Sequence, residues 1–176
     1  MVTIEQLFRQ AQQAGAAEIY LMAGRKPAAR IGGKIKNLDY PELSSTEAEK
    51  ILLEMLDAKQ AAQYRETKSV DEMIAFHGIG RFRVHIYQND GVPSACVKII
   101  NKKEELPEEL KALAGITQGL VLVCGKPHSG KSATLAALAE QMLAGRFMHL
   151  VTLESPVEYP IEAGKGLLSR RCIGKD

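Results

Sequence analysis

A chain of 176 residues, 45% hydrophobic and 25% charged, is long enough for one ordinary domain or two small ones, with a real core. That composition excludes intrinsic disorder and fibrous repeats. A net charge of +2, nearly balanced between the two halves, with aromatic residues at only 5%, argues against a basic, aromatic-studded surface for nucleic acid.

Thr3 to Ala14 opens with a capping box, Thr3 with Gln6, and sets Ile4, Leu7, Phe8 and Ala11 at helical spacing. An amphipathic helix follows from that pattern, with Val2 and Leu7 at the staple positions around its start. Glu18 to Met22 and Pro27 to Leu38 read as strands, the latter folded back at Gly32 and Gly33. A second capping box, Ser44 with Glu47, begins a helix whose stripe is Ala48, Ile51, Leu52, Met55 and Leu56, with more helix through Gln63. Val70 to Phe76, Arg81 to Tyr87 and Val92 to Ile100 are three further strands joined by glycine-containing turns. Up to about Ile100 the expectation is a compact α+β domain.

The charged stretch NKKEELPEE, Asn101 to Glu109, carries a proline suited to the first turn of a short helix. It is read as the boundary, giving domains at 1–101 and 114–176 and a linker at 102–113. Beyond it, Gly119 to Cys124, GLVLVC, is a continuous apolar run expected to form a strand buried on both faces, as in a parallel sheet. It leads directly into Gly125, Lys126, Pro127, His128, Ser129, Gly130, Lys131 and Ser132. This is G-x-x-x-x-G-K-S, followed by Ala133 and a helix-forming run to Leu143.

The chemistry behind that spacing is phosphate binding. Backbone N–H groups of a glycine-rich loop, backed by the positive end of the next helix, wrap a nucleotide's phosphates. Lys131 would neutralise the β and γ phosphates and the Ser132 hydroxyl would ligate Mg²⁺. A glycine-rich turn with a solvated lysine is the plainer alternative. His149 to Glu154, HLVTLE, is then a second apolar strand ending in an acid, with Glu158 close behind. Glu154 faces the crevice where α/β sheets bind ligands and could orient water or hold Mg²⁺, or could simply point at solvent.

On the earlier strand, Arg81, Arg83, His85 and Tyr87 share one face and Phe82, Val84 and Ile86 the other. The two arginines could clamp phosphate, or could pair with Asp71 or Glu72 on a neighbouring strand. Cys96, Cys124 and Cys172 form no C-x-x-C pair and no histidine stands at ligand spacing, so neither a disulfide framework nor a zinc site is expected. The N-terminus has no leader pattern, and no apolar run approaches the ~18 residues that span a bilayer. A cytoplasmic protein that meets a membrane only through partners is expected.

Taken together, PAARIGGKI, GRFRVHIYQ, GKPHSGKSATLAAL, HLVTLESPVEY and RRCIG resemble, in order, the secretion ATPases of type IV pilus and type II secretion systems, most closely the pilus-retraction branch. The resemblance spans essentially the whole chain. It implies a PAS-like N-terminal domain, a flexible linker and the first part of a RecA-like P-loop ATPase domain. It also implies a hexameric ring that binds ATP and Mg²⁺, works on a platform protein at the inner membrane, and couples hydrolysis to pilus movement. Under it, Arg81 and Arg83 become phosphate-sensing arginines, and Glu154 and Glu158 match acids of the aspartate box.

Several residues depart from the pattern. The loop usually reads G-P-T-G-S-G-K-S-T, whereas Lys126, Pro127, His128 and Ala133 differ here, and a histidine in place of glycine crowds the backbone nest. Ser155 replaces the aspartate of the box, Cys172 the glutamate of the Q-R-E-V-G segment, and Lys98 a usual arginine. The Walker B strand and histidine box have no counterpart in these residues. The expectation is therefore a truncated or degenerate relative that hydrolyses little ATP itself, the alternative being a non-catalytic, nucleotide-binding ring partner that regulates an active motor.

Overall fold

The computed structural model describes residues 3–100 and 105–176, in two compact units, Met1–Asn101 and Lys102–Asp176. The staple at Val2 and the first part of the charged boundary, 101–104, lie outside the described residues.

In the first unit, helix α1 (Ile4–Gln13) starts at the Thr3 capping box. The Gln6 amide donates to Thr3 Oγ1 at 3.3 Å, and the Thr3 amide to Gln6 Oε1 at 3.4 Å. These bonds satisfy two of the donors a helix start leaves open and set where the helix begins, while its apolar stripe sets which face is buried. That face is Ile4, Leu7, Phe8 and Ala11. Strand β1 (Ala16–Met22) then pairs with β2 (Ala28–Ile31), which turns at Gly32 and Gly33, both at positive φ, into β3 (Lys34–Asn37).

Two capping boxes, at Ser44 and Asp57, launch α2 (Ser45–Glu54) and α3 (Ala58–Thr67). Strands β4 (Ser69–Phe76), β5 (Gly80–Asn89) and β6 (Val92–Ile100) complete an antiparallel sheet of order β3-β2-β1-β6-β5-β4. Its inner face, with Ile19, Leu21, Phe82, Val84, Ile86 and Val97 fully buried, packs on the helices. Phe8 of α1 stacks on Phe82 at 4.2 Å between centroids and meets Phe76 edge-on at 5.2 Å. Each such large side chain contributes roughly 1.5–3 kcal/mol by leaving water. Because side chains alternate along a strand, the same pattern places Glu18, Tyr20, Arg83, His85, Cys96 and Lys98 on the opposite face.

The second unit has first α4 (Glu108–Lys111), with Pro107 at its N-cap position and no side-chain cap, and a 3-10 turn at Ala112–Gly115. Helix α5 (Lys131–Gly145) follows, then β7 (His149–Glu154) and β8 (Leu167–Cys172), paired in parallel from His149↔Leu167 to Glu154↔Cys172. The end of α5 is locked onto the approach to β8: Lys165 donates to the Leu143 carbonyl at 3.0 Å and Leu167 to that of Met148 at 2.8 Å.

One expected element is corrected. The run Gly119 to Cys124 is not a strand buried on both faces. Among the described residues nothing pairs with it, and Leu120 and Leu122 are 82% and 74% exposed. A two-sided strand needs a ladder at both edges and a layer over both faces, which one long helix, a short one and a two-stranded sheet do not supply among the described residues. The run instead borders an apolar groove of about 350 Å³ lined by Val121, Leu135, Leu138, Met142 and Leu150.

Candidate nucleotide-binding site

Gly125 to Gly130 forms a tight loop that ends as the cap of α5. Gly130 takes φ 90°, a left-handed conformation that costs glycine little, and its carbonyl receives the Thr134 amide at 2.8 Å. A Cβ on Gly125 would lie 2.6 Å from Ser129 Oγ, so a side chain there would have to displace that hydroxyl. Lys131 Nζ folds back over it, donating to the carbonyls of Gly125 at 3.0 Å and Lys126 at 2.8 Å.

The start of α5 has no side-chain cap and no acidic residue in its first turn. Its leading N–H groups and dipole are therefore uncompensated, and the helix runs for 15 residues behind them. A loop of backbone donors, an open helix start and an ammonium in one place suit an anion of the size and charge of a nucleotide's phosphates. Two residues weaken the cradle. Pro127 contributes no N–H, and His128 is held at φ 62°, where a side chain is strained.

At the carboxyl end of β7 the geometry is different from the sequence expectation of an available carboxylate. Glu154 Oε1 accepts from Thr152 Oγ1 at 2.8 Å and from Arg170 Nη2 at 3.2 Å. Thr152 and Arg170 stand directly opposite each other in the ladder, two positions before Glu154 and Cys172, which puts all four on one face. The same Arg170 nitrogen donates to the Tyr159 carbonyl, while Arg170 Nε is buried without a partner. Glu158 is buried, with 6% of its surface exposed, and the Tyr159 hydroxyl is pushed up in pKa, first by burial and then by the charge of Glu158.

These residues fit the two parts of a magnesium nucleotide unequally. Ser132, at the start of α5, suits a cation bridged to phosphate. Glu154 does not, because its charge is already met by a guanidinium. Among the described residues no group of three or more His, Cys, Asp or Glu side chains is placed to hold a metal.

The arginine strand lies in the first unit. Arg83 grips Asp71 with two bonds, Nε to Oδ1 at 2.9 Å and Nη2 to Oδ2 at 2.7 Å, which is the structural pairing its sequence position allowed. Glu72, the other candidate, sits on the core side and is buried. Arg81 lies opposite Ala75 and Ile100, and its Nε is buried without a partner. On the same open face Arg30 Nε donates to Glu18 at 2.7 Å, and the Tyr20 hydroxyl is bonded to both.

Sequence reasoning missed Arg170 as a site residue, together with Thr152. Strand β8 reads LLSRRC, which breaks the apolar pattern before a strand becomes evident, and only the parallel register shows that Arg170 reaches Glu154. Among the described residues no helix is long and apolar enough to cross a membrane.

No family model matches the chain. It is 29% identical over 179 residues to the type IV pilus retraction ATPase PilT of Pseudomonas aeruginosa, covering 98% of the chain and 52% of that protein. It is 30% identical over 151 residues to a twitching motility protein of Neisseria gonorrhoeae, covering 82% of the chain and 40% of that protein. In three dimensions it is similar to the crystal structure of the pilus retraction motor PilT with bound ADP, at a TM-score of 0.83 and 31% identity. That match covers 100% of the chain and 53% of the solved one. The chain thus spans about half the length of the relatives it matches.

Proposed function

Because the chain belongs with the type IV pilus and secretion ATPases, we propose that it is the nucleotide-binding part of a motor ATPase that couples ATP hydrolysis to pilus retraction or assembly. The observation that carries this reading is the loop Gly125 to Ser132 at the uncapped start of α5, with Lys131 Nζ held over its carbonyls. On ATP binding, Lys131 would exchange those carbonyls for the β and γ phosphates, the loop amides would hold the remaining oxygens, and the Ser132 hydroxyl would face Mg²⁺. Residues 1–101 are read as a PAS-like domain, 102–113 as a linker and 114–176 as part of a RecA-like domain. The whole protein would act in the cytoplasm as a homo-oligomeric ring, hexameric by resemblance, on an inner-membrane platform protein, inserting nothing into the bilayer and binding no nucleic acid.

The 176 residues themselves are proposed to hydrolyse little ATP, since Glu154 is paired with Arg170 and Arg83 with Asp71. Those pairs, with the strained His128, also favour a second reading: a non-catalytic, nucleotide-binding partner in the ring of an active motor.

Calorimetry of ATP binding to the chain, beside Lys131→Ala, tests the proposal. Binding that Lys131→Ala abolishes is the expected result. No binding to a chain shown by circular dichroism to be folded would overturn it. Phosphate release above that of the Lys131→Ala control would refute the claim of little hydrolysis.

A further inference from the structure

We infer that Arg170 is a positioning residue that holds Glu154 in an ion pair and removes it from metal binding, so that nucleotide binds this chain with little dependence on a divalent cation. The inference rests on the nucleotide-binding reading above and adds to it how the site is charged.

The geometry is specific. In a parallel ladder, Thr152 and Arg170 face each other and Glu154 is the next residue on the same side. Thr152 Oγ1 and Arg170 Nη2 both donate to Glu154 Oε1, at 2.8 and 3.2 Å, so one oxygen takes both donors. Arg170 is itself anchored by the Tyr159 carbonyl, which ties the segment after β7 back onto β8. Both partners of the pair are about three-quarters buried, where a guanidinium and a carboxylate interact strongly and water competes poorly.

The consequence concerns charge. A carboxylate at the end of this strand attracts a hydrated divalent ion through its negative charge and its lone pairs. Here the positive charge is already present in the guanidinium, and the next residue, Ser155, adds no carboxylate. Ser132 and the phosphates are then the remaining oxygen ligands, a set that ATP in solution nearly supplies for itself. The chain thus gains little affinity from the metal.

Calorimetry with ATP in EDTA and in excess Mg²⁺ tests this on the chain as it stands, on Arg170→Gln, on Arg170→Lys and on the double variant Glu154→Gln with Arg170→Gln. The chain should bind ATP with similar affinity in both buffers. Arg170→Gln frees the carboxylate and should bind about tenfold more tightly with Mg²⁺ than without. The double variant should return to metal independence, which a purely structural role of Arg170 would not produce. Arg170→Lys keeps the charge and should behave like the parent, and it serves if Arg170→Gln does not fold: a gain of metal dependence in Arg170→Lys then overturns the inference. Lys131-dependent binding with the same metal response in parent and Arg170→Gln overturns this inference alone. No Lys131-dependent binding in either buffer overturns the nucleotide reading as well.

Discussion

Arg83 reaches diagonally to the neighbouring strand to take both oxygens of Asp71, at 2.9 and 2.7 Å, although its direct partner in the ladder is Met73. A diagonal pair of this kind is within reach of long side chains on one sheet face, and a two-pronged guanidinium contact fixes the side chain that makes it. An arginine so placed is a constituent of the sheet before it is anything else. Asp71→Asn should therefore lower the unfolding free energy by about 0.5–1 kcal/mol, the range for a half-exposed ion pair of good geometry. Urea denaturation followed by circular dichroism would show it, and an unchanged midpoint would mean that the pair contributes nothing in solution.

His128 and Gly130 both take positive φ within the same loop, 62° and 90°, but only one of them is a glycine. A side chain in the left-handed region costs about 1–2 kcal/mol against glycine, part of which the greater freedom of an unfolded glycine cancels. His128→Gly should stabilise the second unit by about 0.5–1 kcal/mol and tighten ATP binding. A thermal melt and a titration with the same variant separate the two effects. A lower melting temperature would show that contacts of the imidazole outweigh its backbone strain.

The first two helices of the first unit were legible because each was specified twice, by a cap and by a face, and its longer strands by their alternation. Thr3 with Gln6 and Ser44 with Glu47 form the capping boxes they spell, and the alternation of Phe82, Val84 and Ile86 with Arg81, Arg83 and His85 becomes the inner and outer faces of β5. The motif Gly125 to Ser132 was legible from its spacing, and Gly130 takes the left-handed conformation that favours a glycine. Side-chain partnerships were not, because they depend on register. Nothing local distinguishes Asp71 from Glu72 as the partner of Arg83, and Arg170 lies 16 residues from Glu154.

Cys96 lies on the same sheet face as Tyr20 and His85, and its thiol is pushed up to about 11, mainly by burial and then by the nearby charge of Glu18. Cys124 is exposed. Thiolate is the reactive form, so at pH 8 Cys96 should alkylate on the order of a hundredfold more slowly than an ordinary thiol. Its rate should continue to climb to about pH 11. Iodoacetamide labelling read by mass spectrometry would order the cysteines, and early loss of Cys96 at pH 8 would contradict the environment described.

The same shift bears on alkaline stability. Tyr20 is pushed up to about 12, by burial first and by its bond to Glu18 next. For both groups the folded state keeps its proton to higher pH than the unfolded chain does. Between the unfolded and folded pKa values the folded form binds more protons, so the stabilisation is complete below the unfolded values and falls as pH rises. The first unit should lose stability from about pH 9 to about pH 12. Urea midpoints across that range would show it. Tyr20→Phe, which removes one of the two titrating groups, should flatten the upper part of the curve.

Gly166 shows how tightly the end of α5 meets the approach to β8. A Cβ there would stand 2.5 Å from Leu143 Cδ2 and 2.8 Å from the Met148 carbonyl oxygen. The leucine methyl can rotate away, but the carbonyl belongs to the turn whose oxygen accepts the Leu167 amide, the bond that brings β8 into register beside β7. Gly166→Ala must shift that turn, and overpacking of this kind costs about 1–3 kcal/mol. Because the register of β8 also brings Arg170 to Glu154, the substitution should loosen that ion pair together with the fold. Hydrogen exchange would report it as faster exchange at the Leu167 amide than in the parent chain. Unchanged exchange there would mean that the second unit accommodates the methyl group without moving the turn.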